Sequence, residues 1–231
     1  MIAHYYFGHP NSYFDESRAY LTMGLLYLWS VRLTHSYFRR EEWNFGARED
    51  WRFSDMQRMF PKQWWWMSFF FCYLSQQIFL VGITLPFYAI FTVDAPLNNW
   101  DILGALVCLV GIIGAYFADT QLRNFMISNE VRESQGLPKI PIFDAGLFYY
   151  CRHPNYFFEQ LFWWGLWFFA WNLGSTWMFI GPLVNSCCLL IVSVWVEERM
   201  MRKKEREREL KQYFQTTSAI IPWFKFKIKT E

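Results

Sequence analysis

The sequence has little charge, and the charges that it has nearly cancel. Charged residues make up 18% of its 231 residues and the formal net charge is +2, whereas soluble domains carry about 25% charged residues. A nucleic-acid-binding module needs a large cationic excess, and disordered chains and coiled coils need far more charge than this. The composition therefore excludes these three classes, and we expect no nucleic-acid partner.

The sequence lacks a cysteine pattern for disulfides or metal, and the common nucleotide and nucleophile motifs are missing. The five cysteines form no C-x-x-C pair, and four of them lie in apolar runs, so we expect neither a disulfide framework nor a metal site. The sequence has no Walker loop, no G-x-G-x-x-G and no G-x-S-x-G. Residues 1–17 lack the cationic start of a secretory signal and the arginines of a mitochondrial transit peptide. Import by an internal signal stays open.

Apolar and aromatic residues are abundant, at 54% and 23% of the chain. Lys and Arg are absent from residues 63–118 and again from residues 153–196, and runs of about 20 mostly apolar residues are long enough to cross a bilayer. A large soluble helical core is the alternative, but buried helices seldom run this long without charge. We therefore predict an all-α, polytopic transmembrane helix bundle of about five spans. The predicted spans are 17–37, 64–91, 100–118, 155–172 and 176–196, and we expect Pro86 to kink the second of them.

The cationic residues provide an independent test of this topology. Five spans place segments 38–63, 119–152 and 197–231 on one side of the membrane. These segments, together with Arg32 in the second half of the first span, hold 21 of the 22 Lys and Arg residues, and Arg18 is the exception. The positive-inside rule assigns them to the cytoplasmic or equivalent face. We expect an integral membrane protein of either the endoplasmic reticulum or the mitochondrial inner membrane.

The most informative polar stretch, Cys-Arg-His-Pro-Asn-Tyr-Phe-Phe-Glu, occupies residues 151–159. Its proline suits the first turn of a helix, because the missing N–H would be unbonded there anyway. Glu159 lies one turn beyond Asn155 and Tyr156, on roughly one face. A carboxylate at that depth in a membrane is costly unless it is paired or faces a polar cavity. Interfacial anchoring would account for the Arg, His and Tyr but not for Glu159, so we expect a functional site here.

Two further polar clusters fall on the same predicted face. Residues 49–52 read Glu-Asp-Trp-Arg, and an Arg fork beside a Trp can bind a phosphate and stack on a planar base. The alternative is a solvated loop whose acids and bases pair with each other. Residues 119–125 begin where the third predicted span ends, and Asp119 and Arg123 are four apart, a spacing that by itself indicates an exposed ion pair on a helix. The convergence of three clusters favours a common site.

The C-terminal part is rich in charge. Residues 197–211 hold five Glu and seven Lys or Arg, and we predict a basic amphipathic helix that is solvated or lies against anionic lipid. The aromatic residues that follow, as far as Phe224, suit the membrane interface.

In these residues the sequence resembles the uncharacterised membrane relatives of the steroid 5-alpha-reductases, in the 3-oxo-5-alpha-steroid 4-dehydrogenase superfamily. More distantly, it is similar to sterol reductases and isoprenylcysteine carboxyl methyltransferases. The resemblance covers about residues 25–224 and depends on elements that agree in order. These elements are Trp29-Ser30-Val31-Arg32-Leu33-Thr34, Arg39-Arg40, Glu49-Asp50-Trp51-Arg52, Gln77 followed by Leu85-Pro86, Asp119 with Gln121, Gly146-Leu147, Arg152-His153-Pro154-Asn155-Tyr156 with Glu159, Glu197-Glu198-Arg199-Met200, and Tyr213 with Thr217-Ser218-Ala219 and Pro222-Trp223.

The resemblance implies a bundle of transmembrane helices that binds a nicotinamide cofactor, usually NADPH, from the cytoplasmic side. It also implies hydride transfer to an activated carbon–carbon double bond of a lipid-like enone. The residues that would line the cofactor site are Arg52, Asp119, Arg152, Asn155 and Tyr156. Arg152 would meet a phosphate, while Asn155 and Tyr156 would hold the nicotinamide or ribose.

The same resemblance implies the catalytic residues and shows where this chain departs from the family. Glu159 would face the substrate or pair with a polar neighbour, and Tyr156 or His153 would polarise the substrate carbonyl and supply a proton. Phe158 stands where the family usually has Gly, which allows close approach of backbone or ligand. Leu210 replaces the first residue of the usual Tyr-x-x-Tyr. The last helix lacks the His and Tyr of the steroid reductases, and relatives carry further spans at the N-terminal side.

These departures leave three functions open. The first is an NADPH-dependent membrane reductase of a steroid- or lipid-like enone. The second is a catalytically degenerate accessory subunit of a larger membrane complex, for which a mitochondrial location is one option, with apolar surface left for lipid or partner subunits. The third is an S-adenosylmethionine-dependent methyltransferase of a lipidated substrate, because distant relatives share the Arg-His-Pro signature. We predict an N-terminal tail over 1–16, a steroid-reductase-like transmembrane domain over 17–224 and a C-terminal tail over 225–231.

Overall fold

The computed structural model describes residues 16–44, 46, 50–202 and 204–226, apart from the side chain of Glu205. Within these ranges the regular structure consists of helices and includes no β-strand, which confirms the predicted all-α class. The α-helices are α1 (Glu16–Arg40), α2 (Trp51–Met59), α3 (Trp64–Met67), α4 (Ser75–Thr84), α5 (Pro86–Thr92), α6 (Asn99–Ser134), α7 (Leu147–Tyr150), α8 (Pro154–Asn172), α9 (Ile180–Met201) and α10 (Glu207–Thr216). A π-helical segment (Ser68–Leu74) joins α3 to α4, and short 3-10 helices cover Thr176–Phe179 and Lys204–Arg206.

Three of these helical stretches are long and apolar enough to cross a membrane, namely Trp64–Thr84, Asn99–Ser134 and Thr176–Met201. They identify the chain as a membrane protein. The other two predicted spans also form helices, α1 and α8. Both contain more Asn, Gln, Arg or Tyr than a typical span, so length and composition support three spans in the described part of the chain. A count of five spans stays a prediction.

Helix α6 extends 16 residues beyond the predicted end of the third span. The predicted end, at residue 118, is where the apolar run stops, but the polar residues that follow are good helix formers. The helix ends in a Schellman motif, in which Leu137 N–H bonds to Arg132 O (2.9 Å) and Gly136 N–H bonds to Glu133 O (3.0 Å). Gly136 has φ +71°, which suits glycine at this position. Asp119 and Arg123 therefore lie within the helix and not in a connecting segment.

The predicted C-terminal helix over 197–211 is wrong as a single element. Helix α9 continues to Met201, and the amphipathic helix α10 begins only at Glu207. Cationic residues crowd the interval from Arg202 to Arg206, and like charges one turn apart destabilise a continuous helix. Glu197 consequently belongs to the end of an apolar helix.

The chain divides into two compact units, residues 1–105 with 165–185 and residues 106–164 with 186–231. In the first unit, Pro86 begins α5 and separates it from α4, which confirms the break predicted in the second span. A small apolar core of Ala89, Ala170 and Met178 holds α5, the end of α8 and the 3-10 helix together.

A buried ion pair also lies in the first unit. Arg18 donates from Nε to Asp101 Oδ1 and from Nη2 to Asp101 Oδ2, both at 2.9 Å. It also donates to Ala95 O (2.8 Å) and Pro96 O (3.0 Å), while Asn98 N–H bonds to Asp101 Oδ2 (2.9 Å). Arg18 is 0% exposed and Asp101 1%. Arg18, the exception to the charge asymmetry, is thus neutralised inside the protein.

Candidate functional site

The candidate site lies at the start of helix α8, in the second unit. Pro154 is the first residue of this helix, as predicted, and is itself buried. Helix α7 ends at Tyr150, and Cys151 has an extended backbone with φ −155° and ψ 137°. The short link between the two helices therefore places Arg152 and His153 immediately before the apolar helix.

Glu197, near the end of α9, is the carboxylate at the centre of the site. His153 Nε2 lies 2.9 Å from Glu197 Oε1, and Arg152 Nε lies 3.2 Å from the same oxygen. The His153 side chain is 9% exposed, that of Arg152 15% and that of Glu197 17%. One carboxylate oxygen thus holds two basic side chains at partial burial, where charge–charge interactions are screened less than at a surface.

The other side chains of the signature extend the site along the first two turns of α8. The Tyr156 ring stacks on the His153 ring, with centroids 5.2 Å apart and planes at 9°. Asn155 is half-buried in the first turn. Glu159 is half-buried one turn beyond Tyr156 and accepts a hydrogen bond from Trp163 Nε1 at 3.3 Å. The signature residues therefore do share one end of α8, and Glu159 has the polar partner that its depth requires.

Residues 213–226, here called the C-terminal strap, hold the backbone of this corner. Arg152 N–H bonds to Ser218 O (2.9 Å) and His153 N–H to Ala219 O (3.1 Å). The Cys151 thiol donates to Ile220 O at 2.7 Å, and burial raises the pKa of this thiol to about 11. The two site residues are therefore fixed through their main chain by the strap.

The strap also contacts the Arg152 side chain. Phe214 O accepts from Arg152 Nη1 at 3.3 Å, and the Phe214 ring lies 4.7 Å from the guanidinium carbon. Such a cation–π contact favours a fixed orientation of the guanidinium. Among the described residues, Arg152 Nε is buried without a hydrogen-bond partner, so its contact with Glu197 is an ion pair and not a hydrogen bond.

A second structural link connects α6 to the same corner. Leu147 N–H donates to Gln121 Oε1 at 2.9 Å. Gly146, which precedes Leu147, has φ +59°, and a Cβ placed on it would lie 2.5 Å from the same Gln121 oxygen. Glycine is therefore needed here both for its backbone conformation and for space.

Phe158 packs against another glycine. A Cβ on Gly114 of α6 would lie 2.2 Å from Phe158 Cδ1, and a Cβ on Gly111 would lie 2.8 Å from Phe158 O. Helices α6 and α8 thus approach each other at Gly111 and Gly114, as small residues allow in membrane helices. The ring that replaces the family's usual Gly occupies this helix–helix contact.

The remaining cofactor candidates lie elsewhere in the chain. Arg52 forms a two-point ion pair with Asp50, Nη2 to Oδ2 at 2.6 Å and Nε to Oδ1 at 3.0 Å. The side-chain hydrogen bond from Arg52 lowers the pKa of Asp50. These two residues therefore pair with each other, which is the alternative stated above to a phosphate site. Glu49 lies outside the described residues. Asp119 is half-buried on α6 in the second unit, whereas Arg52 belongs to the first.

Sequence reasoning missed the central role of Glu197 and Phe214. The many charges that follow Glu197 in the sequence indicate a solvated helix, and this pattern conceals the contacts of Glu197. The signal that could have identified it is its position as the first carboxylate after a long uncharged span. If two successive spans run antiparallel, the end of the second meets the start of the first.

The corner presents a guanidinium, an amide and a phenol, which are the kinds of group that bind phosphate, amide and hydroxyl groups of a ligand. The guanidinium of Arg152 can donate to a phosphate, Asn155 provides an amide, and Tyr156 provides a hydroxyl beside an aromatic pair. Glu197 partly neutralises Arg152, so a phosphate would compete with this carboxylate for the guanidinium.

The fold and site define a helical membrane protein with an Arg-His-Pro corner at the start of an apolar helix. The chain belongs to the family described as proteins of unknown function DUF1295, whose model matches residues 1–217. It is similar to the uncharacterized protein C594.04c of Schizosaccharomyces pombe, at 28% identity over 170 residues, which cover 67% of this chain and 49% of that protein. The chain thus spans about half the length of this relative. No solved structure matches it.

Proposed function

We propose that this chain is an integral membrane reductase that transfers a hydride from NADPH to a steroid- or lipid-like enone. The observation that carries the proposal is the cluster in which Arg152 and His153 contact Glu197 and Tyr156 stacks on His153, at the point where an apolar helix begins. A cation for phosphate and two proton-bearing rings beside an apolar helix suit a lipophilic substrate.

Each residue of the cluster has a role that its contacts support. Arg152 binds a cofactor phosphate through its guanidinium. Asn155 and Tyr156 hold the nicotinamide or ribose, and Asp119 of the same unit completes the proposed cofactor set. NADPH, when bound, supplies the hydride.

The proton is handled by the aromatic pair. Tyr156 or His153 donates to the enone oxygen and polarises the carbonyl. Glu197 fixes the His153 ring through Nε2, so the orientation of the imidazole is set before substrate arrives. Glu159 faces the substrate or keeps its bond to Trp163.

The test is a titration of NADPH into the purified protein in detergent. Arg152→Ala should weaken binding by about 1.5–3 kcal/mol, the scale of a charge-assisted hydrogen bond. Arg208→Ala, which removes an exposed cation of α10, is the matched control and should leave the affinity unchanged. Absence of nucleotide binding by a folded wild-type preparation would refute the proposal, and tight binding of S-adenosylmethionine would favour a methyltransferase of a lipidated substrate.

A second candidate is a catalytically degenerate accessory subunit of a larger membrane complex. The observation that favours it is the exposure of large aromatic residues on the span Trp64–Thr84, where Trp65 is 81% exposed, Tyr73 64% and Phe71 63%. Such a surface suits lipid or a partner subunit. Stable co-purification with a multi-subunit assembly after gentle extraction, in the endoplasmic reticulum or the mitochondrial inner membrane, would support this function. A protein that extracts as a monomer would count against it.

A further inference from the structure

Tyr213 connects three elements of the second unit. Its hydroxyl donates to Phe148 O of α7 at 2.6 Å. Its own carbonyl accepts from Thr217 N–H at 2.9 Å, where α10 ends and the extended part of the C-terminal strap begins. Farther along the strap, the carbonyls of Ser218 and Ala219 accept hydrogen bonds from the N–H groups of Arg152 and His153.

We propose that Tyr213 is a positioning residue that sets the conformation of Arg152 and His153 for the cofactor. This inference rests on the proposed function. The hydroxyl ties α10 to α7, and the strap that leaves α10 then holds the corner between α7 and α8. Loss of the hydroxyl would let the strap and the corner move apart without removing any group that touches the ligand.

The hydroxyl is suited to this task because it is buried. Tyr213 is 7% exposed, and burial together with the Asp144 carboxylate raises the pKa of its phenol. The O–H therefore remains a donor over the whole physiological range. A buried carbonyl left without its donor carries a desolvation cost, so Phe148 O does not stay in place unchanged when the hydroxyl is removed.

Neighbouring contacts supply a matched control. Lys225 lies 5.7 Å from the Tyr213 ring centroid and 4.6 Å from that of Tyr149. Both rings therefore meet the same cation, but the Tyr149 side chain is exposed, and Tyr213 alone of the two bonds Phe148 O. Tyr213→Phe and Tyr149→Phe each remove one oxygen and keep the ring.

The experiment measures three quantities on the wild-type protein and both variants in detergent. They are the Kd for NADPH, the Kd for progesterone as a 3-keto-4-ene steroid probe, and the alkylation rate of Cys151 by N-ethylmaleimide, followed by peptide mass spectrometry. Cys151 reports on the strap because its thiol bonds Ile220 O. Tyr213→Phe should raise the NADPH Kd about threefold to tenfold, the scale of one net hydrogen bond. It should speed alkylation of Cys151 and leave the progesterone Kd unchanged.

Four outcomes decide the inference. An effect on NADPH and on Cys151 in Tyr213→Phe, with none in Tyr149→Phe, supports it. A wild-type NADPH Kd and a wild-type alkylation rate of Cys151 in Tyr213→Phe overturn it. An equal rise in the Kd for NADPH and the Kd for progesterone also overturns it, because that result indicates a merely structural role. A wild-type protein that binds no NADPH overturns the proposed function itself, a result that is distinct from the second and third.

Discussion

The buried pair of Arg18 and Asp101 allows a quantitative prediction about the first unit. Asp101→Asn removes the counter-ion of a guanidinium that is 0% exposed. Removal of one partner from such a pair costs about 3–5 kcal/mol, because the remaining buried charge loses its counter-ion. Arg18→Met should cost a similar amount, since Asp101 then keeps only the N–H of Asn98 among its described donors.

The double variant distinguishes charge pairing from packing. With both charges gone, neither residue is a buried ion, and replacement of a whole pair by neutral groups is often close to neutral. We therefore expect Arg18→Met with Asp101→Asn to be more stable than either single variant, with a coupling free energy of at least about 2 kcal/mol.

The assay is thermal unfolding in detergent, followed by the fluorescence of the 14 tryptophans. For a chain of this length, 1 kcal/mol shifts Tm by about 2–4 °C, so each single variant should unfold about 6–20 °C below the wild type. Single variants within 2 °C of the wild type, or a double variant whose loss equals the sum of the single losses, would refute the account of this pair.

Three further predictions concern packing and titration. Gly114→Ala should lower the free energy of unfolding by about 1–3 kcal/mol, because the added Cβ overlaps the Phe158 ring. Adding Phe158→Ala to this variant should relieve most of the loss. Unfolding of the wild type, the two single variants and the double variant measures the effect. Gly146→Ala should also lower Tm, since a side chain at φ +59° is strained; an unchanged Tm would contradict this. Arg52→Gln should raise the pKa of Asp50 towards its usual value, seen by NMR titration of the carboxyl group. Because Arg52 lowers that pKa in the folded protein, its contribution is present above about pH 4 and is lost as the pH falls further.

Local signals in the sequence predicted much of the helical framework. Proline marked the start of α8 and the break before α5, and the uncharged runs marked the long apolar helices. The sequence does not reveal the end of α6, because the end of an apolar run does not mark the end of a helix. Gly136, eighteen residues past the predicted end, is the residue at which the helix stops.

The site could be predicted only in part, because its partners are distant in the chain. Arg152, His153 and Tyr156 share one short motif, so local reasoning grouped them. Glu197 is 44 residues from His153, and its contact depends on how α8 and α9 pack. Phe158 stands where the family usually has Gly for close approach of backbone or ligand, and only the structure shows that its ring contacts Gly114.

The central claim is that this protein reduces a lipid-like enone with NADPH, and isotope transfer tests it most directly. Membranes containing the protein would be incubated with NADPH that carries deuterium at the transferable position and with a 3-keto-4-ene steroid. The account predicts a product with the double bond reduced and one deuterium on the carbon β to the carbonyl, and little or none of it with Arg152→Ala. Unchanged steroid in the wild-type membranes, with no binding of NADPH by the purified protein, would contradict the account.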